Sequence, residues 1–229
     1  MDNSASAASA AEGTPARRPV ADSELPPDLR TPLRADAFDL SEEEKITAIA
    51  GHFREIMQVL GLDLTDDSLN GTPRRVAKMY VNEWFRGLNP DHRPDVRLFE
   101  NRYQYQNLLV ERDITLFSCC EHHFVPIIGK AHVAYLPGEH VVGLSKLNRV
   151  VQYFARRPQV QERLTRQIAE ELKTTLRTDS VAVLIEADHL CVMSRGVNDT
   201  SSSTITAEYG GAFSEDEGLR REFLRLIGK

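Results

Sequence analysis

Side chains that bind metals sit in two short segments far apart in the chain, and any fold must bring those segments together. The first is Cys119-Cys120-Glu121-His122-His123 and the second is His189-Leu190-Cys191. Cys120 and His123 stand three apart, which lets a turn or one helical turn wrap an ion. His189 and Cys191 stand two apart, and on an extended strand alternate residues share a face, so both can look into one site. A Cys-x-x-His pair with one distant Cys supplies three protein donors. A closed structural zinc site takes four, whereas a catalytic site keeps its fourth position for water. Spacing leaves open the choice between Cys119 and Cys120, and between His122 and His123. A lone buried cysteine is commonly just a small hydrophobe, but two paired segments of this kind favour a metal. Glu121, His122 and His189 are the acid–base candidates beside it, because imidazole takes and returns a proton near neutral pH. Any one of them can instead orient a ligand.

At 229 residues the chain can bury a full core in one or two domains. Its formal charge of -6 disfavours bulk nucleic-acid binding and anionic membranes as partners. A local basic cluster can still hold an anionic small molecule. No apolar run approaches the ~20 residues of a membrane span. No charged start followed by an apolar core opens the chain, so no secretory signal is expected. The cysteine count is odd, at 3, and two of them are adjacent. Reduced thiols in the cytoplasm are therefore the expected state.

Residues 1–38 are rich in Ala, Ser, Pro and charge without apolar periodicity, and are expected to form a disordered tail. Residues 39–95 read as a helical region. Ser41 with Glu44 forms a capping box ahead of Ile46, Ile49, Phe53, Ile56, Met57 and Leu60, and Gly61 can end that helix. Thr72-Pro73 reads as a cap and first turn of a second helix. From about residue 96 to 229 the pattern changes. Strands are expected over 108–117 and 130–136. A helix capped by Ser145 follows, then a longer one opened by Pro158. A strand runs from Val181 toward Cys191, another covers 204–209, and a terminal helix covers 215–227. The order β-β-α-α-β-β defines an α+β class, an antiparallel sheet carrying helices on one face.

Lys146 and Arg149 lie behind Ser145 at a helix start, where free N–H groups and cations suit phosphate. Arg195 follows Cys191 closely, and Arg74 and Arg75 open the second helix. For any one of them solvated surface charge is the simpler reading. Gln161-Glu162 opens the long helix, and a carboxylate there either decorates the helix dipole or grips a base with adjacent N–H donors. Neither a G-x-x-x-x-G-K-[ST] loop nor a G-x-G-x-x-G is present, so an ordinary NTPase or dinucleotide site is excluded.

These residues resemble the GTP cyclohydrolase I family. The resemblance rests on Gly71-Thr-Pro-Arg-Arg-Val-Ala-Lys-Met-Tyr80, Cys120-Glu-His-His-Phe-Val-Pro126, Val142-Gly-Leu-Ser-Lys-Leu-Asn-Arg149, Arg157-Pro-Gln-Val-Gln-Glu-Arg-Leu164 and His189-Leu-Cys191 with Arg195-Gly196. It runs from about residue 41 to the C-terminus. It implies a tunnelling-fold subunit with an N-terminal helical extension, in a homodecamer of two pentamers with sites at subunit boundaries. The implied reaction converts GTP and water to formate and 7,8-dihydroneopterin triphosphate, for folate or tetrahydrobiopterin synthesis. The implied metal ligands are Cys120, His123 and Cys191, and a two-thiolate, one-imidazole set suits zinc. His122 and His189 match the family's acid–base histidines. Glu162 matches the residue that grips the guanine edge, with Gln161 beside it. Lys146, Arg149, Arg195 and Arg75 match the triphosphate cations, and Ser145 lies near the ribose end. Cys119 departs from the family's pattern. It reads as an inert thiol or as a competitor for metal or oxidation. Two rivals are an enzyme of the same fold acting on another pterin or a deazapurine, and a non-catalytic zinc-stapled assembly protein.

Overall fold

The computed structural model describes residue 22 and residues 25–229. Helix α1 (Glu42–Val59) opens with the capping box, Ser41 and Glu44 each bonding the other's backbone N–H. It closes at Gly61, whose φ of 79° admits the left-handed turn. The Gly61 and Leu62 N–H groups bond back to Gln58 O and Met57 O. Helix α2 (Thr72–Met79) runs on into a wide turn at Tyr80–Trp84. Its cap is Gly71 with no side-chain bond, so Thr72 is the first helical residue, not the expected cap.

The strands and remaining helices follow as β1 (Leu98–Glu100), β2 (Leu109–Cys120), β3 (Pro126–Tyr135), β4 (His140–Val142), α3 (Leu144–Ala155), β5 (Pro158–Gln159), α4 (Gln161–Leu176), β6 (Val181–His189), α5 (Leu190–Met193), β7 (Thr204–Tyr209), α6 (Ala212–Glu215) and α7 (Glu217–Leu226). The main sheet has the order β5-β2-β3-β6-β7, and β1 pairs with β4 in a separate ribbon. All pairs are antiparallel except β2 with β5, which is parallel, so the sheet is mixed, not purely antiparallel. Two expected helix starts move. Pro158 belongs to β5, and α4 begins at Gln161. Ser145 lies inside α3, whose cap is Gly143.

Strand alternation builds two cores. Val181, Val183, Ile185 and Ala187 of β6 pack with Leu147, Val151 and Phe154 of α3 and with Leu164, Ile168 and Leu172 of α4. Each of the Val, Leu, Ile and Phe side chains contributes about 1.5–3 kcal/mol on burial. Ala182 and Leu184 point the other way, against Phe213, Phe223 and Ile227. Helices therefore cover part of both faces. The long α3 and α4 lie on one, and the C-terminal segment lies on the other.

Of the tail expected over 1–38, residues 1–21, 23 and 24 lie outside the described residues. Leu25 and Leu29, each 1% exposed, enter the main core. Buried Arg157 donates to both carboxylate oxygens of Asp22 at 2.8 and 2.7 Å. The proline-rich composition hid two core leucines. Among the described residues no helix is long and apolar enough to cross a membrane.

Candidate metal centre

Strands β2 and β6 flank β3 and both run antiparallel to it, so they end at the same edge. Ile127 of β3 faces Ser118 on one side and His189 on the other. Two residues further on stand Cys120 in β2 and Cys191 in α5. Cys191 thus reaches the site from a single helical turn and not from the strand expected for it. The turn between β2 and β3 is closed by Cys120 N to Val125 O and Phe124 N to Cys120 O, each 2.9 Å. It presents Glu121, His122 and His123. Phe124 takes a positive φ of 52° there and packs on Tyr80 and Phe85.

The donor atoms of Cys120, His123 and Cys191 all lie within 4.8 Å of one another. Cys120 Sγ stands 3.8 Å from His123 Nδ1. Tetrahedral bonds of about 2.0–2.3 Å place ligand atoms roughly 3.5–4 Å apart, so the set fits zinc with small inward shifts. Cys120 is buried, Cys191 half-buried and His123 exposed, which leaves one side open. Burial and the neighbouring Cys120 raise the Cys191 thiol, while Arg195 opposes the shift.

His122 Nδ1 lies 3.9 Å from Cys120 Sγ, but His122 is not part of the three-donor group. Nor is Cys119. Adjacent strand residues face opposite sides, and its buried thiol is pushed up to about 12, first by desolvation and then by Cys120. Such a thiol is inert at neutral pH.

His189 Nε2 sits 2.7 Å from Gln161 Oε1. Gln161 Nε2 donates to Ile185 O, Thr204 O and Thr206 Oγ1 at 3.1, 2.9 and 3.1 Å, which identifies the amide nitrogen. Its oxygen can only accept, so His189 Nε2 carries the proton and Nδ1 is the free nitrogen of the neutral ring. Burial lowers the His189 pKa, with Glu162 and Asp188 opposing, so the neutral ring is favoured. Gln161, expected beside a substrate, is 1% exposed and commits its whole amide to His189 and the sheet. Glu162, next along α4, is exposed and has no hydrogen bond or ion pair among the described residues. The Glu121 carboxylate turns away from the ligands and accepts from Arg163 Nη2 at 2.5 Å. Sequence spacing gave no hint of Arg163, because its partner lies in another segment.

Four expected residues stand elsewhere. Helix α3 runs alongside β2 in the same direction. Asn148 bonds Glu111, Gln152 bonds Thr115 O, and the chain reaches Cys119 only at Pro158. Ser145, Lys146 and Arg149 thus lie toward the start of β2, away from its Cys120 end. Lys146 Nζ bonds Asp95 O. Arg75 is held by Ser68 O and Thr72 Oγ1 at 2.8 Å each. Arg195 is exposed and stays beside Cys191.

Fold and site together define an α+β protein with an open three-donor group that could hold a metal, flanked by two histidines. The model of the GTP cyclohydrolase I family matches residues 49–228. GTP cyclohydrolase 1 of Flavobacterium johnsoniae is 55% identical over 208 residues, which cover 91% of this chain and 93% of that protein. GTP cyclohydrolase 1 of Salmonella gallinarum is 54% identical over 199 residues, covering 87% and 90%. The chain belongs to the GTP cyclohydrolase I family.

Proposed function

We propose that this protein is a zinc-dependent GTP cyclohydrolase. It opens the guanine imidazole ring of GTP at C8, releases that carbon as formate and forms 7,8-dihydroneopterin triphosphate for folate or tetrahydrobiopterin synthesis in the cytoplasm. The observation that carries this reading is the meeting of Cys120, His123 and Cys191 with His122 and His189 at one edge of the sheet, in a chain 55% identical to a GTP cyclohydrolase 1.

Cys120, His123 and Cys191 would hold zinc, which supplies a nucleophilic water at neutral pH and an open position. The free Glu162 carboxylate accepts from N1–H and the 2-amino group of guanine. His189, fixed by Gln161, receives a proton at Nδ1 and passes it to N7 as the C8–N bond breaks. His122, whose Nδ1 lies 3.9 Å from Cys120 Sγ, shares the proton traffic. The triphosphate is a handle that is never cleaved, and its binding energy positions the base.

Ser145, Lys146 and Arg149 lie toward the end of β2 opposite Cys120. In our reading they act on the site of a neighbouring copy, as does Arg75, whereas Arg195 serves its own. That arrangement supports a tunnelling-fold homo-oligomer, with the decamer of two pentamers as its form.

Metal-replete protein given GTP should yield formate, and a fluorescent pterin after oxidation, in equal amounts. Absence of turnover in a sample shown to contain stoichiometric zinc overturns the reading.

A further inference from the structure

Glu121 is the one charged residue of the β2–β3 turn, and its side chain is neither a proposed ligand nor part of the aromatic contact. Its carboxylate is three-quarters buried and meets an Arg163 side chain that is 12% exposed. Arg163 also donates Nε to Gln159 Oε1 at 3.1 Å and Nη2 to Pro158 O at 2.9 Å. The backbone closes the same loop, with Glu121 N donating to Gln159 O at 3.0 Å. Gln159 Nε2 continues to Gln167 Oε1 at 2.8 Å, inside the core. Arg163 is the third residue of α4, directly after Gln161 and Glu162. One guanidinium thus ties the turn that carries Cys120, His122 and His123 to the helix start that carries Gln161 and Glu162. Its planar fork suits this task, because three acceptors from two segments are held in one plane.

We propose that Glu121 and Arg163 are a positioning pair. They set the place of the metal-binding turn relative to the residues that hold the base and His189. The pair touches neither metal nor substrate. It acts through the turn, as outer partners of metal ligands do, where loss typically costs about 10–100-fold in metal affinity or activity.

This inference rests on the metal reading of Cys120, His123 and Cys191, and the test separates the two. Zinc affinity is measured by chelator competition on wild type, Glu121→Gln and Arg163→Met, with circular dichroism for the fold and GTP kinetics alongside. Glu121→Gln keeps every Arg163 bond to Gln159 and Pro158 and removes only the charged contact. The expected result is a zinc affinity lowered about 10–100-fold in Arg163→Met and by less in Glu121→Gln, with kcat falling more than KM rises and the helical signal unchanged. The pairing is overturned if folded Glu121→Gln and Arg163→Met both keep wild-type zinc affinity and kcat. It is overturned equally if Glu121→Gln lowers only thermal stability, which marks a merely structural bridge. Failure of the wild-type protein to bind zinc instead removes the metal reading itself, and the pairing with it.

Discussion

Gln161 shows how much a residue's surroundings add to what its type suggests. Its place beside Glu162 suggested contact with a base, but the folded chain buries it and turns its oxygen to His189. Gln161→Leu removes that acceptor and the amide donor to Ile185 O, Thr204 O and Thr206 Oγ1. A stability loss of about 1–3 kcal/mol is expected from the buried polar groups that lose a partner. Steady-state kinetics on the folded variant should show kcat down about 10–100-fold with KM for GTP little changed. A raised KM at constant kcat would return Gln161 to substrate binding. Cys119 is the opposite case. Two adjacent cysteines are chemically equal on paper, and the strand's alternation separates them: both are buried, but Cys120 lies on the main-core face beside His123 and Cys191, and Cys119 lies on the opposite face of β2. Cys119→Ala should therefore keep wild-type zinc content, read by metal analysis, and wild-type turnover. Loss of zinc in that variant would make Cys119 a ligand after all.

At the scale of elements, what could be read in advance was whatever local chemistry decides. Ser41, Glu44 and Gly61 bound α1 by caps whose partners lie within a few residues, so the sequence displays both ends. Ser41→Ala should cost about 1 kcal/mol, seen as a lower urea midpoint at unchanged slope. An unchanged midpoint would show that tertiary packing alone holds that end. Elements decided by distant partners were not legible. Strand β5 is two residues long and exists because Pro158 and Gln159 pair with Cys119 and Cys120, so it looked like a helix start. The single turn α5 also escapes periodicity, because four residues are too few for a repeat to show. Residue types and spacing showed the two metal-binding segments, and the choice of Cys120 and His123 within them came only with the family resemblance. The Arg163 contact that braces the turn of the first segment was not legible, since it joins segments about 40 residues apart.

At the scale of the whole molecule, the same sheet that gathers the metal donors keeps Ser145, Lys146 and Arg149 at its far end, and no spacing rule encodes that separation. If neighbouring copies exchange these groups, Lys146→Ala and His122→Ala chains damage different halves of each site. Co-expressed mixtures should then regain roughly a quarter of wild-type activity, the share of randomly paired sites with both halves intact. No recovery in verified mixed oligomers would mean each chain uses its own α3. Stability carries a second long-range signature, in Glu171. Glu171 is 1% exposed, and among the described residues its carboxylate has one hydrogen bond, from Arg93 Nη2 at 3.1 Å. Burial pushes it up to about 7, against the opposing pull of Arg93 and Arg157, while Asp22 adds to the rise. In the unfolded chain it titrates near 4.5. Between those values the folded protein holds a proton that the unfolded chain releases, so stability falls as pH rises. The stabilising contribution of protonated Glu171 is full below about 4.5 and lost as pH climbs through about 7. Glu171→Gln cannot ionise and should lack this part of the slope. Its urea midpoint relative to wild type should therefore be higher at pH 8 than at pH 5, whatever the constant effect of losing the Arg93 pair. A difference independent of pH across that interval would mean that Arg93 and Arg157 keep Glu171 ionised throughout, and that the buried cluster is an ion pair at every working pH.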